Sequence, residues 1–216
     1  MTTHDLLIFV LAGLLLNLTP GPDVMVIVSS AAHGGRRAGV LAAFGISAGC
    51  FVHILAASVG LSALLAASAT AFNALKWLGA AYLAYIGLRM LWPHPPTAMI
   101  LRAPSAEAAG AGGVFWRAAA TNALNPKVAL FFLAFLPQFI GPQVEHKSLA
   151  LLLLGLLFNL NSLAVCIGWA LAADWLVRHS RTNVPNANLF VWLDRLAGLV
   201  FLGFGARLAL TPSPSI

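Results

Sequence analysis

Two charged residues lie inside apolar stretches of the sequence, and each directly follows a proline that interrupts the stretch. The first break contains Asn17, Thr19, Pro20, Gly21, Pro22 and Asp23, and the second contains Asn122, Asn125, Pro126 and Lys127. A carboxylate can hold an ammonium group or a proton, and a lysine ammonium can hold a carboxylate. Since ionisable residues inside apolar segments are functional candidates, both breaks are predicted to form a solute site.

The composition around these breaks is that of an integral membrane protein. The chain has 216 residues, of which 60% are hydrophobic and only 8% are charged, whereas globular domains have about 25% charged residues. The net charge of +6 does not predict a nucleic-acid partner, because the basic residues are scattered between apolar runs without a basic face. The N-terminus has no basic region typical of a signal peptide, so we expect the first apolar segment to stay in the bilayer.

Six segments have the roughly 20 apolar residues that a membrane-spanning helix needs. They lie at about 6–29, 39–61, 70–92, 115–140, 148–174 and 189–210, with a turn expected near 62–70 in the long uncharged run. A polar linker, 93–113, separates repeat one, about 1–92, from repeat two, about 114–210. We therefore predict an all-α, single-domain membrane protein with six transmembrane helices, built as two inverted three-helix repeats with broken first and fourth helices.

The basic residues predict the orientation of these helices. One set of loops holds eight of them, namely Arg36, Arg37, Arg89, Arg102, Arg117, Arg178, Arg181 and Arg195. The opposite side holds Lys76, Lys147 and Arg207. Because cytoplasmic loops are enriched in Lys and Arg, the basic loops are predicted to be cytoplasmic and both termini periplasmic.

The two breaks fall at corresponding places in the predicted repeats, which favours a transporter. Half-helix N-termini attract anions and unwound carbonyl groups attract cations, so paired interruptions in matching spans indicate a central binding site. An ion pair between Asp23 and Lys127 that only joins the two halves is the structural alternative.

Further polar residues lie on the predicted spans. Gly45, Gly49 and His53 are spaced four apart and share one helix face, on which the glycines permit close packing. His53 could relay protons or could simply bond a neighbour. Span five carries Asn159, Asn161 and Ser162, which could line a cavity or bond across helices, and Asp174 with Arg178 looks like a pair at the membrane boundary. Cys50 and Cys166 are expected to be buried, and no zinc-site spacing occurs.

Several longer strings in the sequence resemble the lysine exporter superfamily, specifically its homoserine/threonine efflux (LysE/RhtB-type) branch. They are Thr19 to Pro22, Gly34 to Gly39 followed by Gly45, Gly49 and His53, Leu75 to Leu83, and Asn122 to Lys127 leading to Leu136 to Ile140. The resemblance implies a bacterial inner-membrane secondary transporter that expels amino acids by proton antiport. Some relatives have an acidic residue near the position of Ser162, so this chain departs from them there.

The residues and the resemblance together give a functional expectation. We expect an exporter of neutral amino acids of the threonine, homoserine or aliphatic type, because no second mid-membrane carboxylate is present for a basic side chain. All the residues of both breaks are predicted to bind substrate, and Asp23 and His53 to couple protons. No cofactor, metal or catalytic residue is expected. A homodimer is compatible with the sequence. The alternatives are an exporter of another small solute or cation on the same fold, and a membrane-embedded enzyme, both of which the sequence disfavours for lack of ligand clusters or catalytic motifs.

Overall fold

The structure is a computed structural model of the chain, and it describes residues 3–61, 69–92, 110–140, 144–179 and 187–210. These residues are helical almost throughout, and no strand occurs among them. Within these ranges seven α-helices follow one another: α1 Thr3–Leu18, α2 Pro22–Leu55, α3 Ala69–Leu91, α4 Ala111–Ala123, α5 Pro126–Phe135, α6 Lys147–His179 and α7 Ala187–Leu210. A π-helical turn, Ala56–Leu61, continues α2, and a 3₁₀ turn, Leu136–Phe139, continues α5.

Both predicted helix breaks are present. The first apolar segment ends as α1 at Leu18 and restarts as α2 at Pro22. The second ends as α4 at Ala123 and restarts as α5 at Pro126, with a bend of 45° between the two pieces. In each case a proline occupies the first turn of the new helix, where its missing N–H would have no intrahelical partner anyway.

The predicted loop between spans one and two is reduced to a single residue. Helix α2 runs through this region, and only Gly35 departs from helical geometry, with φ of 70°. Glycine adopts this left-handed conformation without the steric cost that a Cβ brings. The chain therefore turns sharply at Gly35, and the flanking residues that sequence patterns assign to a loop are helical.

The other predicted boundaries agree in part. Helix α4 begins at Ala111, so the last residues of the predicted linker are helical. Most of the linker lies outside the described residues, as does the turn expected near 62–70 except for its last two residues, which already belong to α3. By length and apolarity, Pro22–Gly60 and Lys147–Arg178 can each cross a membrane, and the bent pair α4 and α5 could form a third span. The chain is thus an all-helical membrane protein, whereas the six-span inverted repeat stays a prediction.

Helix packing creates two hydrophobic clusters. Helix α2 packs against α4 and α6, while α3 packs against α7. One cluster is rich in phenylalanine and includes Phe9, Phe131, Phe132, Phe135 and Phe158, and the other includes Ile27, Ala42, Ile46, Ala118 and Ala170. Both broken segments and α6 pass from one cluster to the other, so their central polar residues lie between two apolar regions.

Close approach of α2 and α4 depends on the glycines of the predicted helix face. A Cβ on Gly45 would collide with the main-chain oxygen of Phe115, and a Cβ on Gly49 with that of Ala119. Both oxygens belong to α4, one turn apart. The small residues therefore bring the backbone of α2 against that of α4 and place the next residue on this face, His53, beside Asn122.

Candidate functional site

The two breaks meet and satisfy each other's polar groups. Asn122, at the end of α4, donates its side-chain amide to Asp23 Oδ2 at 2.9 Å. In the opposite direction, Lys127 Nζ donates to the main-chain oxygens of Leu16 at 2.9 Å and Thr19 at 3.2 Å. The carbonyl groups at the C-terminal end of α1 lack intrahelical donors and carry partial negative charge, so an ammonium group is well placed there.

Local capping explains how the break residues are positioned. The side chain of Asn125 accepts a hydrogen bond from the Lys127 N–H at 3.0 Å and so caps the start of α5. This cap is typical of Asn at an N-cap and fixes the direction in which α5 leaves the break. In the first break, the Thr19 hydroxyl donates to Leu15 O at 2.7 Å and closes the end of α1. Gly21 then precedes α2 without any side-chain cap.

His53 joins the same constellation through the main chain. Its Nε2 lies 2.8 Å from Asn122 O, and because a carbonyl oxygen only accepts, His53 must donate an Nε2–H there. Asn122 therefore bridges two predicted proton-coupling residues: its main-chain oxygen contacts His53 and its side-chain amide contacts Asp23. The structure brings together three residues that the sequence placed on three different predicted spans.

A small cavity lies between the breaks and α6. Its volume is about 20 Å³, enough for roughly one water molecule. The wall is formed by Leu16, Asn17, Thr19, Gly21, Asp23, Val24, Asn125, Lys127, Val128, Ser162 and Cys166. This volume is too small for an amino acid.

Two residues that line this cavity each have a buried polar atom without a hydrogen-bond partner among the described residues. Asp23 Oδ1 and Asn17 Nδ2 are buried and have no hydrogen-bond partner within the described part of the chain, and both residues line the cavity. Buried polar groups without partners are uncommon in folded proteins and call for an explanation. Here one acceptor and one donor side chain are available to a solute that carries both a donor and an acceptor.

Helix N-termini add donors to the same wall. Asp23 and Val24 are in the first turn of α2, and Val128 is in the first turn of α5. N–H groups of a first helical turn lack intrahelical acceptors and carry partial positive charge. Together with the Lys127 side chain, they give the cavity an anion-attracting part next to the Asp23 carboxylate.

The predicted site residues divide into three groups. Asn17, Thr19, Gly21, Asp23, Asn125 and Lys127 line the cavity. Asn122 is 2% exposed and does not line the cavity, but it donates a hydrogen bond to Asp23, which does. His53 is hydrogen-bonded to the main-chain oxygen of Asn122. Pro20, Pro22 and Pro126 are not among the lining residues, and the last two instead begin α2 and α5.

Helix α6 contributes a wall that the sequence identified only in part. Ser162 lines the cavity, and its Oγ lies 3.9 Å from the sulfur of Cys166, one turn further along. Asn159 and Asn161 instead bond across helices, to Ser47 O at 3.3 Å and Val10 O at 3.0 Å. Cys166 was expected only to be buried, and its position beside Asp23 on the cavity wall is a finding of the structure.

The predicted pair of Asp174 and Arg178 is present near the C-terminal end of α6. Arg178 Nε lies 3.0 Å from both carboxylate oxygens of Asp174. In the described ranges, no group of three or more His, Cys, Asp or Glu side chains is arranged to hold a metal ion.

Comparison with known proteins places the chain in a family of transporters. The model of the LysE type translocator family matches residues 14–211. A membrane protein of Vibrio cholerae serotype O1 is 31% identical over 210 residues, which cover 97% of this chain and 98% of that one. Leucine efflux proteins of Enterobacter sp. (strain 638) and Klebsiella pneumoniae are 31% and 30% identical, and each alignment covers at least 93% of both chains. No solved structure matches the chain.

Proposed function

This chain belongs to the LysE type translocator family, and we propose from that premise that it exports neutral amino acids across the bacterial inner membrane in exchange for protons. Relatives named leucine efflux proteins, similar over nearly their whole length, support an amino-acid cargo. A translocator family and efflux relatives also point to a transporter rather than an enzyme.

The observation that carries the proposal is the pairing of an unsatisfied carboxylate oxygen with a cationic wall in one buried cavity. In an α-amino acid, the ammonium group and the carboxylate are both bonded to the same carbon atom, so a binding site must hold the two charges close together. Asp23 Oδ1, which has no partner among the described residues, is the acceptor for the substrate ammonium group. The Lys127 ammonium and the first-turn N–H groups of α2 and α5 are the donors for the substrate carboxylate.

The remaining wall favours a neutral side chain. Beyond Asp23 and Lys127, the lining residues are uncharged, and Leu16, Val24 and Val128 are aliphatic. A lysine or arginine substrate would bring a second positive charge into a buried region without a second carboxylate to balance it, which is costly. Ser162 and Cys166 line the cavity, so the substrate side chain meets a hydroxyl and a thiol rather than a carboxylate.

Proton coupling follows the contacts of Asn122. Asp23 can hold either a substrate ammonium group or a proton, but not both at once, which is the exclusion that an exchanger needs. Asn122 holds His53 near Asp23. Because an amide does not relay protons, His53 exchanges protons with this carboxylate through water that enters when the breaks separate. His53 is only 7% exposed, so it is separated from bulk water as long as the breaks stay together.

The closed cavity requires the breaks to separate before substrate binds. Hydrophobic clusters lie on both sides of the polar layer, and the contacts from Lys127 to the end of α1 hold the breaks together. Since the substrate carboxylate can take the place of the Leu16 and Thr19 oxygens on Lys127, loading the site and opening it are coupled. Alternating access then consists of movement of the half-helices about these contacts.

Counterflow in proteoliposomes tests the proposal. Purified protein is reconstituted with an internal excess of one unlabelled amino acid, and uptake of the same labelled amino acid is measured. We expect counterflow with leucine, threonine or homoserine and little with lysine or arginine. Counterflow of lysine with none of the neutral amino acids would overturn the substrate assignment, and absence of counterflow with every amino acid would overturn the cargo class.

A further inference from the structure

A second cavity, unrelated to the central site, opens where the sharp turn of α2 meets the far end of α6. Its volume is about 420 Å³, and it is lined by Arg36, Leu171, Asp174, Trp175 and Arg178. The α2 turn and α6 are in direct contact here, because a Cβ on Gly35 would lie 3.7 Å from Asp174 Oδ1. The basic residues predict that this end of the protein is cytoplasmic.

The lining residues of α6 form one face that changes from apolar to basic. Leu171, Asp174, Trp175 and Arg178 are spaced i, i+3, i+4 and i+7, so they lie above one another on the helix. Leu171 lies nearest the middle of α6, and Arg178 lies about 10 Å nearer its end, at 1.5 Å per residue. The cavity wall therefore has an apolar inner part and a charged outer part, along the direction in which a lipid molecule extends.

Among the described residues that line the cavity, the charged part holds two arginines and one carboxylate, which leaves an excess of positive charge. Asp174 contacts Arg178 at Nε, which lies 3.0 Å from each carboxylate oxygen, so a single carboxylate faces the two arginines of the cavity. Arg36 makes no hydrogen bond or ion pair with any residue in 3–61, 69–92, 110–140, 144–179 or 187–210. Guanidinium groups match phosphate oxygens in geometry as well as charge, so two arginines facing one cavity suit a phosphodiester.

The apolar part indicates that the phosphate belongs to a lipid. Trp175 is 61% exposed and Leu171 is 36% exposed on a helix that is apolar enough to cross the membrane. In a bilayer these side chains contact acyl chains, and tryptophan is typical of the level of the headgroups. A small soluble anion would gain nothing from this apolar wall.

We propose that this cavity binds an anionic glycerophospholipid, whose phosphodiester contacts Arg36 and Arg178 and whose acyl chains lie along Leu171 and Trp175. Basic pockets between transmembrane helices on the cytoplasmic side recognise anionic lipids in this way. The bound lipid fastens the Gly35 turn of α2 to the end of α6. Export activity is not needed for this binding, so the proposal is independent of the transported substrate.

Native mass spectrometry of the delipidated protein tests the assignment. Phosphatidylglycerol and phosphatidylcholine with identical acyl chains are titrated separately, and glycerol 3-phosphate serves as the soluble phosphate. We expect phosphatidylglycerol to bind at least about fivefold more tightly than phosphatidylcholine, since one arginine near an anionic headgroup contributes about this factor. Equal affinities for both lipids would overturn the proposal, and binding of glycerol 3-phosphate as tight as that of phosphatidylglycerol would make the cavity a soluble-anion site.

Two variants with opposite expected effects and one matched control complete the experiment. Arg36→Gln should lower phosphatidylglycerol affinity about fivefold, whereas Asp174→Asn should raise it because Arg178 then faces the phosphate without a competing carboxylate. Arg37→Gln removes the same charge from the adjacent exposed position, which does not line the cavity, and should leave the affinity nearly unchanged. Equal losses in Arg36→Gln and Arg37→Gln would show a general surface-charge effect and refute a defined site.

Discussion

Asn122 donates a 2.9 Å hydrogen bond to Asp23 across 99 residues of sequence, and this contact connects the end of α4 to the start of α2. The reciprocal contacts run from Lys127 to the end of α1. Each break thus supplies the partner that the other needs for its charged residue. Polar groups that an interrupted helix exposes inside a membrane must be satisfied by protein or water, and here each break bonds polar groups of the other.

The first prediction concerns the role of His53 in proton coupling. In His53→Gln, the side-chain NH₂ can still donate to Asn122 O, but the residue can no longer take up and release a proton. We expect counterflow of the substrate to persist, because exchange needs no net proton movement, while accumulation driven by a pH gradient is largely lost.

His33 supplies the matched control for this experiment. Its Nδ1 lies 2.8 Å from Ser29 O, so it also bonds a main-chain carbonyl, but it is exposed and does not contact the breaks. His33→Gln should leave both assays unchanged. If His53→Gln retains full gradient-driven accumulation, His53 is a structural residue and not a relay.

The second prediction concerns the close packing of α2 on α4. In Gly49→Ala, the new methyl group would meet the main-chain oxygen of Ala119, and backbone cannot move aside as a flexible side chain can. Overpacking of this kind costs about 1–3 kcal/mol, so the melting temperature in detergent should fall. Gly168→Ala is the control, since no atom lies within 4 Å of its Cβ position. The control should be neutral or stabilising by up to about 1 kcal/mol, and a loss as large as that of Gly49→Ala would contradict the packing argument.

The positions of the two breaks could be predicted because proline and charge are conspicuous within apolar runs. Proline cannot continue a helix and an ionisable side chain is costly in hydrocarbon, so both signals are visible without tertiary information. The face formed by Gly45, Gly49 and His53 was predictable for a similar reason, since a spacing of four fixes which residues share a helix face.

Other features depend on packing that the sequence does not encode locally. The sharp turn at Gly35 falls within a stretch containing two adjacent glycines, and their positions in the sequence do not tell which of the two takes a positive φ. Cys166 lies on a helix that is apolar on nearly all sides, so its periodicity cannot tell which side faces the cavity. The apolar run of α6 would be equally compatible with Cys166 facing lipid.

A third prediction concerns the orientation of the protein. Two exposed residues serve as labelling positions, Arg37 near the Gly35 turn and Glu145 just before α6. In a background without Cys50 and Cys166, Glu145→Cys should react with a membrane-impermeant thiol reagent on intact cells, and Arg37→Cys only after permeabilisation. The reverse pattern would place the termini in the cytoplasm and contradict the distribution of basic residues.

The last prediction separates a transport site from a structural connection, using Asp23→Asn, Lys127→Met and the double variant. If the two charges only hold the halves together, each single change should cost about 3–5 kcal/mol of stability by leaving a buried charge behind, and the double variant should recover both abundance and efflux.

In the transport-site interpretation, neutral partners already hold each charge, Asn122 for Asp23 and two carbonyl oxygens for Lys127. The single variants should therefore remain abundant in the membrane, yet all three should lose efflux, because the substrate ammonium or carboxylate has lost its counter-charge. Two measurements in the same vesicles decide between the interpretations: abundance by quantitative immunoblotting, and efflux. Renewed efflux in the double variant would refute the transport site.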